Sequence, residues 1–426
     1  MMLRPIAGLG LVSVALLVAC GDDDASSTTS SSSGGAGQGG AGGASGGASS
    51  GGAAQGGSGQ GGGAVTTGGG CVRAPGPDDK DRFVVVGHPF DTSKPDGTYG
   101  VLALSQAGVL SATSTRFEMR KPVDREMAFT PDGVLGFAVQ DDGTVGEFTV
   151  DATGNVTVLD AGYGGAFYAD AVRVSDDGST LYVVDPDFPD SGGGIYAAPI
   201  FCDGTLGDAT KLFDTKNARA YVPLGPGSAA VVARAALGST DVAHAHLVSL
   251  AGPTLESSAN VFGDDEAILA SFALTHDGKF LLVGDNSSFA STPNRVGVVG
   301  VGASSLTAVD VLADIEDPYA LATSPFDDAA IVVSGFGDAI FVLGYAPGQD
   351  PPFSNEGELA YVGGSPQVPG SLTMLARGTS SGRVFIGDVR GVYQVEFAGG
   401  GNVTDLGILD LGGGNENIVA GIGVQP

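Results

Sequence analysis

The chain has 426 residues, 48 Asp and Glu against 19 Lys and Arg, and a formal net charge of −29. So large an acidic excess excludes broad nucleic-acid binding, because phosphate contacts need concentrated positive charge. The length could hold two or three average domains, but large all-β folds use as much as one.

Residues 1–19 carry one basic residue, Arg4, followed by an apolar run over residues 9–18. That run falls short of the roughly 20 residues of a membrane-spanning helix. It reads as a secretory signal. The junction Leu17-Val18-Ala19-Cys20 resembles the lipobox of bacterial lipoproteins. The resemblance implies diacylglyceride (and usually further acyl groups such as palmitate) on Cys20, cleavage before it, and a chain held in the membrane of the cell envelope. Gly21, where an Asp would favour inner-membrane retention, points to onward transport to the outer membrane or cell surface, while Asp22, Asp23 and Asp24 leave retention in the inner membrane as the alternative. Residues 20–70 then form a tether that, after Asp22, Asp23 and Asp24, is almost entirely Gly, Ser, Ala, Thr and Gln, without an aromatic residue. Such a stretch cannot offset its ordering entropy and behaves as a coil spanning roughly 40 Å.

Residues 71–426 change character. Turns recur near 78, 132, 177, 227, 277, 327 and 381, each followed by an apolar run: FVVVG, LGFAV, LYVVD, AAVV, FLLVG, IVV and VFIG. The spacings, 45 to 54 residues, each leave room for four strands of about five residues. Hairpins fill the intervals: 144–150 with 155–159, 296–301 with 306–311, 339–345 with 358–362, and 391–397 with 403–409. Radial repetition of four-stranded sheets is the signature of a β-propeller. The fold class is all-β, a seven-bladed propeller of about fifty residues per blade. The continuous apolar runs read as its inner strands, sandwiched between neighbouring blades. The last strand-like stretch, 417–424 (NIVAGIGV), has no partner after it, and the first anchor has little before it. The two ends therefore pair and close the ring.

Residues 174–185 (VSDDGSTLYVVD) and 274–285 (LTHDGKFLLVGD) resemble the repeats of the YVTN and lactonase-like propeller families. The resemblance implies the fold. Those families include sugar-lactone hydrolases, cell-surface proteins and redox-cofactor-associated propellers, so chemistry does not follow from it without a matching site.

Candidate sites are sparse. His244 and His246, two apart on a strand, present to one face and could share a metal, with Asp241 nearby; hydrogen-bonded polar residues in a blade are the ordinary alternative. His276 belongs to the repeated turn, and His88 follows the first apolar run. Asp185, Asp187 and Asp190, or Asp264, Asp265 and Glu266, could supply oxygen ligands to a structural calcium ion, or a solvated acidic face. Arg120, Lys121 and Arg125, in FEMRKPVDR, form a candidate anion patch or a set of surface ion pairs. Cys71 and Cys202 are even in number and allow one disulfide in an oxidising compartment; two buried thiols are the alternative. No catalytic constellation emerges and no cofactor is required. These features point to a membrane-anchored, extracytoplasmic propeller that binds an envelope protein, a glycan or a small ligand. The alternatives are a lactonase-like hydrolase acting on a small sugar lactone, and an architectural surface protein.

Overall fold

The computed structural model describes residues 70–187, 192–215, 217–225, 227–233, 243–263, 267–286 and 294–426. All belong to one compact unit, Gln60–Pro426. The signal, Cys20 and the tether before Gly70 lie outside the described residues, as do Asp190, Asp241, Asp264, Asp265 and Glu266.

Seven four-stranded antiparallel sheets follow one another along the chain. Blade 5 shows the plan: Leu269–Leu274, Phe280–Asp285, Arg295–Val301 and Leu306–Leu312, paired in that order. The first strands of the seven blades are Ile422–Val424, Ala128–Phe129, Ala171–Val174, Ala218–Gly225, Leu269–Leu274, Pro318–Thr323 and Leu372–Met374. Each contacts the first strand of the next blade, and the last contacts Ile422–Val424, so these strands form the closed inner ring. Blade 1 is built from both ends of the chain. Ile422–Val424 pairs with Arg82–His88 in the register Val84↔Val424, Val85↔Gly423 and Val86↔Ile422.

The continuous apolar runs are not the innermost strands but the second of each blade. Thr180–Asp185 and Ala329–Ser334 are buried at every position, whereas Leu306–Leu312, the outermost strand of blade 5, is mostly exposed. A second strand has both edges paired and both faces covered, so no position meets water. An innermost strand leaves one edge at the axis and can carry polar side chains there.

Period-two alternation distributes these runs between interfaces. Leu281 and Val283 pack toward blade 4, while Leu282 packs toward blade 6. Val84 and Val86 face blade 7, and Val85 faces blade 2. The core is thus seven clusters, one between each pair of neighbouring blades.

The recurrent turn has a specific chemistry. In blade 5, Thr275 Oγ1 donates to Asp277 Oδ1 (2.8 Å), which also accepts the Lys279 N–H (3.1 Å). The Phe280 N–H donates to Thr275 Oγ1 (3.0 Å). Gly278 sits at φ +69°, a conformation that a Cβ disfavours. Ser175/Asp177 and Thr130/Asp132 repeat the pattern. His276 is an exposed spacer in this turn. In blade 6 the outer partner of Ala339–Tyr345 is Phe353–Glu358, earlier than the 358–362 expected from sequence.

An N-terminal strap crosses the turn side of the ring. Backbone N–H groups of Cys71, Arg73 and Gly76 donate to Ile200, Asp177 and Pro131, passing from blade 3 to blade 2. Cys71 and Cys202 are joined by a disulfide. Blade assignment alone separates these two cysteines; the path of the strap brings them together.

Candidate axial site

The chain crosses from one blade to the next at the end of the ring opposite the recurrent turns. Here the innermost strands begin, and charged residues from several blades meet. The segment leading into blade 2 supplies Asp124, Arg125 and Glu126. Blade 3 supplies Asp170, just before Ala171–Val174, and Arg173 within it. Arg219 lies on the first strand of blade 4, Tyr319 on that of blade 6, and Thr373 on that of blade 7.

Two arginines share one carboxylate. Arg125 Nη2 lies 2.8 Å from Asp170 Oδ1, and Arg219 Nη1 lies 3.4 Å from Asp170 Oδ2. Arg125 also donates through Nε to the Asp170 carbonyl (3.2 Å) and through Nη1 to the Asp124 carbonyl (2.8 Å). Arg173 pairs with Glu126 at 2.8 Å and stands over the Phe272 ring of blade 5 at 5.6 Å. Thr373 Oγ1 donates to Glu126 Oε1 at 3.2 Å. Asp124 Oδ1 accepts the Ser371 N–H at 2.5 Å, and Tyr319 lies within hydrogen-bonding reach of the same carboxyl.

These side chains are neither surface nor core. Arg125, Arg173 and Arg219 keep 37%, 36% and 32% of their side chains exposed. Their electrostatics diverge. Burial raises the Asp124 carboxyl above the ordinary range, against the opposing Ser371 N–H and Arg125. Burial pushes Asp170 the same way, but Arg125 and Arg219 together outweigh it and hold Asp170 low. The Asp170 charge raises Arg125, and burial, followed by the Asp124 charge, raises the Tyr319 phenol. The mouth therefore holds one carboxylate fixed in its ionised form, one carboxyl biased toward protonation, and guanidinium groups beside both. Gly370 packs against Asp124 so closely that a Cβ there would lie 2.6 Å from Oδ1. Such an arrangement can exchange hydrogen bonds with hydroxyl, carbonyl or carboxylate groups of a small ligand.

The residues singled out from sequence are dispersed. Arg120 pairs with Asp142 and Lys121 with Asp141, on a turn of blade 2, so of the three proposed anion-patch cations Arg125 is the one in the axial cluster. His244 Nδ1 accepts the N–H groups of Val261 (3.1 Å) and Phe262 (3.4 Å), and His246 Nδ1 meets Ser258 Oγ at 3.0 Å. Both imidazoles are fully buried in blade 4. Asp185 Oδ1 accepts the Asp187 N–H at the end of the second strand of blade 3, and Asp187 Oδ1 accepts that of Gly192. Among the described residues no group of three or more His, Cys, Asp or Glu is placed to hold a metal ion. His88 bonds the Ile418 carbonyl through Nδ1 and is held neutral, its pKa pushed down to about 3 by burial and by Arg116.

No family model matches the chain, and no curated protein matches it in sequence. Its fold is similar to that of the periplasmic gluconolactonase PpgL of Pseudomonas aeruginosa, with a TM-score of 0.59 and 13% identity over 82% of this chain and 99% of that one. A candidate 6-phosphogluconolactonase from Bacteroides uniformis gives a TM-score of 0.61 and 13% identity, covering 81% of this chain and 99% of that one. A second, from Bacteroides fragilis, gives 0.59 and 12% identity, covering 82% and 99%. At such identities the likeness shows the fold: a seven-bladed, lactonase-like propeller.

Proposed function

We propose that this protein is an exported propeller, held at the cell envelope by lipid on Cys20, whose axial mouth binds a small polyhydroxylated ligand of the sugar-lactone or sugar-acid class. The observation that carries the reading is the convergence of Asp124, Arg125, Glu126, Asp170, Arg173, Arg219, Tyr319 and Thr373 at one end of the inner ring. Paired arginines and carboxylates that remain partly accessible suit hydroxyl-rich ligands, which accept from one and donate to the other. The Cys71–Cys202 disulfide supports an oxidising, extracytoplasmic setting. The lactone class rests on fold-level analogy to the solved gluconolactonase structure.

Asp124 favours a second reading, hydrolysis. Burial raises its carboxyl above the ordinary carboxylate range, the direction that suits a general base. Asp124 would take the proton from a water attacking the lactone carbonyl, while a neighbouring guanidinium balances the developing oxyanion. The tetrahedral intermediate then collapses with cleavage of the ring C–O bond, and the alkoxide leaving group takes back the proton held by Asp124, giving the hydroxy acid.

The test is calorimetric titration with gluconate together with pH-stat hydrolysis of glucono-δ-lactone. Asp170→Asn and Arg219→Ala remove charge-assisted contacts and should each weaken binding by about 10-fold or more. A folded protein that neither binds gluconate nor hydrolyses the lactone at millimolar concentration refutes the reading. For the anchor, Cys20→Ala should abolish fatty-acid labelling, and unchanged labelling refutes the assignment.

A further inference from the structure

We propose that Phe336 and Val368 form an apolar shoulder on the axial mouth, and that the ligand held there is amphiphilic, a polyhydroxylated head bearing an acyl or alkyl substituent. The inference rests on the mouth being the ligand site.

Phe336 lies in the turn between the second and third strands of blade 6, Ala329–Ser334 and Ala339–Tyr345, and is 53% exposed. The turn is fastened to the axial cluster. The Phe336 N–H donates to Asp317 Oδ2 at 2.5 Å, and Asp317, itself 1% exposed, immediately precedes the strand that carries Tyr319. Gly335 packs against the Tyr319 side chain, so that a Cβ at Gly335 would lie 3.1 Å from Tyr319 Cγ. The turn that carries Phe336 thus adjoins the tyrosine that reaches Asp124.

Val368, 47% exposed, approaches the same turn from the segment leading into blade 7. Its N–H donates to Asp338 Oδ1 at 2.6 Å. Three residues later the Ser371 N–H donates to Asp124 Oδ1. Three extended residues span at most about 10 Å, so with that hydrogen bond the Val368 backbone stands within about 13 Å of the axial carboxyl. Two exposed apolar side chains therefore border a polar site from two directions.

The backbone here is unusual as well. Asp314, Asp317, Asp338 and Val368 account for four of the seven non-glycine residues with positive φ among the described residues. Val368, at φ +43°, is the β-branched one, and β-branched residues almost never adopt this conformation. Gly or Asn would relieve the strain, yet the position keeps an apolar side chain exposed. Strain of this kind persists where the surroundings impose it, and it concentrates at ligand clamps. The remaining exposed valine of this region, Val362, is tied instead to Asp405 on Asn402–Asp410, the outer strand of blade 7. It serves as a control.

The experiment is calorimetric titration of residues 21–426 with N-methyl-, N-butyl- and N-hexyl-gluconamide, which share one head group. A half-buried methylene should strengthen binding about 2-fold, so the hexyl compound should bind about 30-fold tighter than the methyl compound. The double variant Phe336→Ala, Val368→Gly should bring that ratio close to 1, and Val362→Ala should retain it. Phe336→Ala alone, expected to lose most of the gain, serves if the double variant fails to fold by circular dichroism. Equal binding of all three compounds by the wild type removes the shoulder and leaves the axial reading standing. A wild-type ratio retained in the variants removes it too, because the tail then sits elsewhere. Failure of every compound to bind overturns both inferences.

Discussion

Replacing Glu147 by Gln should stabilise the propeller at alkaline pH and change little at acid pH. Glu147 lies on Val145–Val150, the third strand of blade 2, and is 2% exposed. Its Oε1 has no hydrogen-bond partner, and the turn of blade 3 at Gly204 closes over it, a Cβ there standing 3.7 Å away. Burial, then the charges of Asp160 and Asp203, raise its pKa from 4.5 to about 7 against a smaller opposing pull from Arg73. In the unfolded chain the group ionises near 4.5, so between that pH and 7 the folded state binds more protons. Stability must therefore fall as pH rises through this window, with the full penalty present above about pH 7. At about 1.4 kcal/mol per pH unit, a rise from 4.5 to about 7 sets a ceiling of about 3.4 kcal/mol. Relaxation around the ionised group reduces this to about 2 kcal/mol. Gln keeps the shape and removes the charge. Urea unfolding of wild type and Glu147→Gln at pH 5 and pH 8 reads the difference directly. The variant should gain about 2 kcal/mol at pH 8 and much less at pH 5. A gap of equal size at both pH values would refute the electrostatic account.

Deleting residues 417–426 removes the inner strand of blade 1, including Ile422 and Val424, and opens the ring. The expected result is loss of cooperative unfolding for the whole domain rather than for one blade, measured by circular dichroism during a thermal ramp. Asp277→Ala removes the acceptor for Thr275, the Lys279 N–H and the Tyr345 hydroxyl. It should cost about 1–3 kcal/mol in urea unfolding without altering gluconate affinity.

The ring was legible because burial on two faces leaves a mark on sequence. A strand covered on both sides must be apolar at every position, and FLLVG, LYVVD and VFIG recur for that reason. In blades 2, 3 and 5 the turn before the second strand uses an Asp to collect N–H groups and a Gly at positive φ, and this sets the Asp-Gly signal. Asp327, at φ +54°, stands in for that Gly in blade 6, where the repeat lacks it. The axial site left no comparable mark. Arg125, Arg173, Arg219 and Tyr319 lie on four different blades, and closure of the ring alone brings them together. One cue was available: Arg173 in AVRV, Arg219 in ARAY and Tyr319 in PYAL are large polar residues within inner strands otherwise made of small or apolar ones. Apolar periodicity passes over them because an inner strand has an edge at the axis and tolerates such residues.

Charge distribution also constrains what the mouth can hold. Arg125, Arg173 and Arg219 face Asp124, Glu126 and Asp170, so the formal charges balance locally, while the chain as a whole carries −29. At physiological ionic strength screening acts over about 8 Å, and the balanced mouth offers no long-range attraction to an anion. The acidic body around it opposes the approach of negative ligands. Affinity must then come from short-range exchange of hydrogen bonds, which favours a neutral, hydroxyl-rich molecule over a multiply charged phosphate ester. The same field weakens the binding of a carboxylate. On the proposed reading an uncharged gluconamide should therefore bind more tightly than gluconate at the same mouth, and parallel titrations of the two read that difference.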